Sequence, residues 1–451
     1  MVLAGAGAII VLTAVGGGGH ERTRPALSIL RGPSTEVEAN LRPIASTIAA
    51  RVERLRGLRF DRRPRVLVMG ESRLAAVGRR LVRRDRRRAA LHPSREQAAE
   101  RLERASTEFD QLAGLLPPES AFGPDTKTTG LDRIGGAFDF PRNRIIIVPT
   151  AIETRLQLNY TIAHELAHAL EHQHFDLRLA RLTAPGEAAE VRRAVIEGTA
   201  TFVQEFYRRR YLHDRVPLRD RLEGMGSVIA AGSAPYAVSA QAMFDYVDGG
   251  MFVRSLYRRA GGFQLVNQAL RDPPTRSHQV LHPRSWPGGG GARRVRLGLA
   301  PLLQRDWRLV GGGIAGEEQA LSILLAGANP IEASLGASGW AGGRFAVWRS
   351  RTPPEDCGPD CGSERAEVGV VAFRWRRRSD CRQFALAVPA YTMLQLLGQP
   401  QGPRSWKIST GYVALGTAPR GSALAFAPGA PLARELAQHA ASRAADGGGG
   451  I

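Results

Sequence analysis

Residues 156–175 read LQLNYTIAHELAHALEHQHF, and the fold is decided there. Ala163, Leu166, Ala167 and Leu170 recur at i, i+3, i+4 and i+7, one apolar stripe of a helix running from about Leu156 to Phe175. His164 and His168 stand four residues apart, about 40° round such a helix, so both imidazoles can face one point. Working outward, the stretch 131–150 predicts a hairpin whose second strand is Arg144 to Val148. RVLVM at 65–69 predicts a short strand, and 34–60 and 95–115 predict amphipathic helices. A further helix is expected over about 188–210. Within it, AVIEGTATFV (194–203) places Glu197 among apolar and small residues. An unpaired carboxylate in that setting is costly. Gly198 and Ala200 would let this helix approach the first closely.

His164-Glu165-Leu166-Ala167-His168 is an HExxH motif. Two histidines at this spacing can hold a zinc ion, and Glu165 beside them can reach a water on that ion. Such a water is acidic, and Glu165 can take its proton as it attacks a carbonyl carbon. A catalytic zinc site needs a third protein ligand. His174 completes HExxHxxExxH, but Glu171 stands where a sharp turn would need glycine. On a continuous helix His174 lies about 15 Å along the axis from His164, and His172 is also too far. Glu197 on the second helix is the expected third ligand, an arrangement found in gluzincins.

YTIAHELAHALEHQHFDL (160–177) followed by VIEGTATFV (195–203) resembles an uncharacterised family of exported bacterial and archaeal zinc metallopeptidases. Its members read approximately HELxHALQDQHFDL and then EGxA. FDYVDGGMFVRSLYRRAGGFQLVNQALRDPP (244–274), QVLHPRSW (279–286) and GWAGGRFAVW (339–348) are also similar to it, so the resemblance covers about residues 45–350. It implies His164, His168 and Glu197 as metal ligands and Glu165 as general base. Thermolysin-like gluzincins carry an Asp four residues after the third ligand. Here that position is Thr201, which leaves Thr201 or Glu205 as candidates to orient a ligand histidine. Tyr246 and His282, in the resembling stretches, are candidates to stabilise the oxyanion. In zinc peptidases of this general design an edge strand before the motif helix pairs with substrate backbone, a role expected of Arg144 to Val148.

The formal charge is +20 over 451 residues, with Lys only at Lys127 and Lys407. The bias to Arg reads as the mark of a GC-rich coding sequence. A basic surface still favours anionic partners, an envelope polymer or a lipid surface. No helix-turn-helix, zinc-finger or RNA-motif pattern is present, so a specific nucleic-acid partner is not expected. Arg79 to Arg88 carries seven arginines and one aspartate and reads as a solvated helix face. Cys357, Cys361 and Cys381 make no four-ligand metal set, and a disulfide among them is an open alternative for an exported chain. Residues 1–19, uncharged and centred on Ala8 to Val15, read as a signal peptide or N-terminal anchor, hence a secreted or cell-envelope protein.

The expected fold is α+β: a zincin-like domain with a smaller C-terminal α+β domain. The expected division is an N-terminal subdomain over 34–115, the catalytic domain over 116–287, the C-terminal domain over 296–430 and a tail over 431–451. The expected activity is hydrolysis of a peptide or protein substrate by zinc-activated water. One rival is a non-catalytic, metal-containing envelope-binding protein of the same fold. The other is an Arg-rich binder of envelope polymer or nucleic acid.

Overall fold

Val37, Leu41, Ile48 and Val52 form one buried stripe of α1, Ser34–Arg56, which stops at Gly57. Gly57 has φ 66°, the left-handed conformation that ends helices and that glycine adopts most readily. The structure, a computed structural model, describes residues 27–74, 76–77, 93–118, 135–175, 177, 185–214, 216, 235–289, 291–303, 305–352 and 366–446. Residues 1–19, Arg79 to Arg88, Cys357 and Cys361 lie outside the described residues. Cys381 is a buried free thiol.

In chain order the first lobe comprises α1, β1 (Arg65–Val68), β2 (Gly136–Asp139), β3 (Arg144–Ile147), α3 (Arg155–Phe175) and α4 (Glu187–Tyr211). Between β1 and β2 comes α2 (Pro93–Leu112), and after α4 come α5 (Tyr236–Ala242), a π-helical turn (Met243–Asp248), α6 (Gly249–Ala260), α7 (Gln264–Arg271) and α8 (Ser277–Leu281). The small sheet has the order β1-β3-β2, with β1 parallel and β2 antiparallel to β3. Ile145 and Ile147 join the main core of this lobe while Ile146 packs with Met69 and Leu74, so β3 is covered on both faces. Arg144–Ile147 is therefore the central strand. The expectation that it forms an edge is corrected, and the described edges on either side of it are β1 and β2. Helices α1, α3 and α4 pack together, and α4 packs on α6. That last contact is very close: a Cβ on Gly198 would fall 2.2 Å from the Gly249 carbonyl carbon, and one on Gly249 would fall 2.1 Å from the Ala194 carbonyl oxygen.

The second lobe holds α9 (Ala300–Leu303), β4 (Trp307–Ile314), α10 (Glu317–Leu325), α11 (Pro330–Ala337), β5 (Trp340–Ser350), β6 (Glu367–Trp375) and α12 (Arg378–Ala390). A π-helical turn (Tyr391–Gln395), β7 (Gln399–Pro400), β8 (Ser405–Ile408), β9 (Gly411–Ala418), β10 (Gly421–Ala427) and α13 (Ala430–Asp446) complete it. Its seven strands form an antiparallel sheet in the order β4-β5-β6-β10-β9-β8-β7. One face is covered by α13 through Leu436, Ala437, Ala440 and Ala444; the other packs Phe109, Trp340, Phe373 and Phe384. The chain is thus mixed α+β, a helical region joined to a seven-stranded antiparallel sheet.

Two expected boundaries move. The segment 34–115 is not one unit, because α1 packs on α3 and α4 whereas α2 packs on β4, β5 and β6 of the large sheet. Phe109 of α2 sits between Phe345 and Phe426, an aromatic contact that ties the helix to that lobe. Residues 431–446 are not a tail but most of α13, whose alanines pack on β9 and β10. Among the described residues no helix is long and apolar enough to cross a membrane.

Candidate metal centre

Helix α3 holds His164, Glu165 and His168 almost without exposure because α1 and α4, its neighbours in the first lobe, pack against it. Glu197 projects from α4 and is also buried. Three atoms converge there. His164 Nε2 lies 3.1 Å from His168 Nε2, and Glu197 Oε2 lies 3.5 and 3.3 Å from them respectively. These residues could hold a metal ion.

Hydrogen bonding decides how the histidines face that point. His164 Nδ1–H donates to Gln204 Oε1 at 3.0 Å, which leaves the Nε2 lone pair directed at the centre. Gln204 lies seven residues after Glu197 on α4, two turns along the same face. It takes the orienting place that the sequence assigned to Thr201 or Glu205. Glu205 instead pairs with Arg208 at 3.4 Å. The i+7 relation to Glu197 was available in the sequence as a signal.

Burial disfavours charge on His164 and lowers its pKa. Burial also pushes the Glu197 carboxyl up, but the imidazoles of His168 and His164 outweigh it and hold the group at about 2. Glu165 is raised well above the ordinary carboxylate range, by burial first and by the negative Glu197 second. Both Glu165 carboxylate oxygens are buried and lack a hydrogen-bond partner among the described residues. Strand β2 passes over this carboxylate: a Cβ on Gly136 would stand 3.1 Å from Glu165 Oε1.

The other expected residues are placed as follows. His174 Nε2 bonds the Arg59 carbonyl at 2.7 Å and is turned away from the centre. His172 packs edge-on against Phe140 at 5.1 Å. Glu171, the residue in the turn position of the longer motif, is fully buried and paired with Arg56 at 2.9 Å, which locks α3 to α1. Tyr246 is buried, its ring 6.3 Å from the His164 ring, on the π-helical turn that packs against α4. Turns of this kind recur at functional sites. Its neighbour Asp245 pairs with Arg193 at 3.5 Å and accepts from Gln241 at 2.9 Å.

His282 is not at this centre. It belongs to a second His/His/Glu group that could also hold an ion, formed with His278 and Glu317. His278 Nδ1 bonds Glu317 Oε2 at 2.5 Å, His282 Nε2 bonds Glu317 Oε1 at 2.7 Å, and Arg376 Nη2 bonds His278 Nε2 at 2.5 Å. Guanidinium only donates, so His278 Nε2 accepts and its Nδ1 carries the hydrogen donated to Glu317. This group therefore closes as hydrogen bonds without an ion. Burial pushes Glu317 up, but the bonds from His278 and His282 outweigh it and hold its pKa below the usual value. It joins α8 of the helical lobe to α10 and to Arg376, between β6 and α12, in the sheet lobe.

No known family, curated protein or solved structure matches this chain.

Proposed function

We propose that the chain is a zinc-dependent metallopeptidase, with His164, His168 and Glu197 as ligands and Glu165 as general base. The observation that carries the reading is the triangle of ligand atoms with sides of 3.1, 3.3 and 3.5 Å. A tetrahedral zinc with bonds near 2.0–2.1 Å spaces its ligands about 3.3 Å apart. With Gln204 holding the hydrogen of His164 on Nδ1, a cation is the natural occupant between the Nε2 atoms and the carboxylate. When bound, zinc would polarise a carbonyl and make a coordinated water acidic at neutral pH.

The chain's own groups supply the rest. Glu165, with two unbonded oxygens, receives the proton of the attacking water and delivers it to the amine nitrogen as the C–N bond breaks. Tyr246 is the nearer of the two oxyanion candidates, since His282 is engaged with Glu317. The pairing edge of β2, which no described strand fills, takes the substrate-binding role first expected of Arg144 to Val148. The substrate class is a peptide or protein, and the N-terminal residues 1–19 favour an exported location.

The test is metal content with peptide hydrolysis across a set of variants. Wild type should carry one zinc per chain. His164→Ala and Glu197→Ala should lose it. His174→Ala should keep both metal and activity. Glu165→Gln should keep zinc and lose hydrolysis by at least about a hundredfold. Stoichiometric zinc without any Glu165-dependent hydrolysis would instead identify a metal-containing binding protein. Retention of metal by Glu197→Ala would remove the ligand assignment.

A further inference from the structure

In the sheet lobe, α11, α12 and the π-helical turn that follows α12 expose large aliphatic side chains. Ile331 is 73% exposed, Leu386 79%, Leu394 67% and Leu397 79%, with Leu335 and Met393 also exposed. Helices α11 and α12 lie against one another, and a Cβ on Gly336 would meet Ala387 Cβ at 3.4 Å. Leu397 has φ 50°, a backbone conformation that a bulky residue rarely adopts. A leucine is thus held outward where glycine or asparagine would fit with less strain. Isolated exposed leucines are ordinary in proteins; a group on neighbouring elements marks a contact surface.

The charge along α12 selects the partner. Arg378, Arg382 and Leu386 follow one another at four-residue steps, so they stay near one face of the helix. Arg382 and Arg378 stand about 6 and 12 Å back along the axis from Leu386. The patch contains no Trp, Tyr or Phe among its exposed members, whereas protein interfaces draw most of their energy from such anchors. Its acidic neighbours are at helix N-termini: Glu332 in the first turn of α11, and Asp380, which accepts from the Arg377 backbone N–H.

We propose that this face, Ile331, Leu335, Leu386, Met393, Leu394 and Leu397 behind Arg378 and Arg382, seats on an anionic lipid surface. The aliphatic side chains enter the interface while the two arginines meet phosphate. The proposal stands independently of the metal centre.

Sedimentation of the full chain with vesicles tests it, using phosphatidylcholine alone or mixed with phosphatidylglycerol. Wild type should bind the mixed vesicles at least tenfold better than the neutral ones, and less well in high salt. Leu386→Ser with Leu394→Ser should weaken binding to the mixed vesicles at least tenfold. Arg378→Gln with Arg382→Gln should reduce the preference for anionic vesicles. All four sites are exposed, and unchanged thermal melting will show that the variants fold. Residues 1–19 are present in every protein compared, so a loss on substitution belongs to this face. The proposal is overturned if wild type binds neither vesicle or if the leucine pair binds like wild type. It is also overturned if sedimentation velocity shows a dimer that the leucine pair dissociates, since a second copy would then be the occupant.

Discussion

Gln204 carries the sharpest expectation for a single side chain. Its amide oxygen fixes which nitrogen of His164 holds the hydrogen, at 3.0 Å in a buried setting. Loss of such an outer partner typically lowers metal affinity about 10–100-fold. Gln204→Ala should therefore lose zinc to a chelator more readily by that factor, with the fold intact by circular dichroism. Gln204→Glu should restore affinity, because a carboxylate accepts the same hydrogen bond. Equal zinc affinity in wild type and Gln204→Ala would show that His164 needs no orienting partner. The sequence singled out His164, His168 and Glu197, whose ligand atoms the structure brings together, and Glu165 beside them because their signals are local: a four-residue histidine spacing, an adjacent acid, and a lone carboxylate in an apolar run. Tyr246 lies beside that centre, while His282 was drawn to it only by resemblance and is held elsewhere by Glu317. Gln204 carries no charge and so left no anomaly in composition.

Among elements, the contact between α4 and α6 has the least room. Gly198 and Gly249 face each other so closely that an added methyl would overlap backbone atoms, at 2.2 and 2.1 Å. Neither overlap can be relieved by rotating a side chain, so the helices must separate. Overpacking of this kind costs about 1–3 kcal/mol or more. Gly198→Ala should lower the urea midpoint accordingly and, by shifting Glu197 on the same helix, also weaken zinc binding. A Gly198→Ala protein with unchanged midpoint would mean that the helices are not in this register. The helix expected over about 188–210 is observed as Glu187–Tyr211, but Gly198, expected to bring it close to α3, lies instead against Gly249 of α6. The sequence misjudged Arg144–Ile147 because three consecutive isoleucines announce a strand buried on two faces without stating its neighbours. Strand order is a property of pairing partners distant in the chain.

At the scale of the whole molecule, the two lobes meet across an acidic interior that no local pattern predicts. Helix α2 leaves the first lobe to pack on the large sheet, and this brings Asp110 toward Glu190 of α4 and Glu318 of α10. Glu318 is pushed up to about 8, by burial first and then by Glu190, Asp110 and Asp248, while Ser322 bonds its carboxylate and opposes the shift. An unfolded glutamate titrates near 4.3. Between about pH 4.3 and 8 the folded chain thus retains a proton that the unfolded chain has released. Unfolding is therefore favoured progressively as pH rises through that window, and the loss is complete above it. Glu318→Gln mimics the protonated state and its amide oxygen can still accept from Ser322. At pH 4 the variant should melt with the wild type. By pH 8 it should melt at the higher temperature, and the wild-type decline between those values should be shallower in the variant. Calorimetric scans at pH 4, 6 and 8 measure this directly. A variant that is equal to or less stable than wild type at pH 8 would show that the carboxylate of Glu318 meets a compensating cation at the lobe junction.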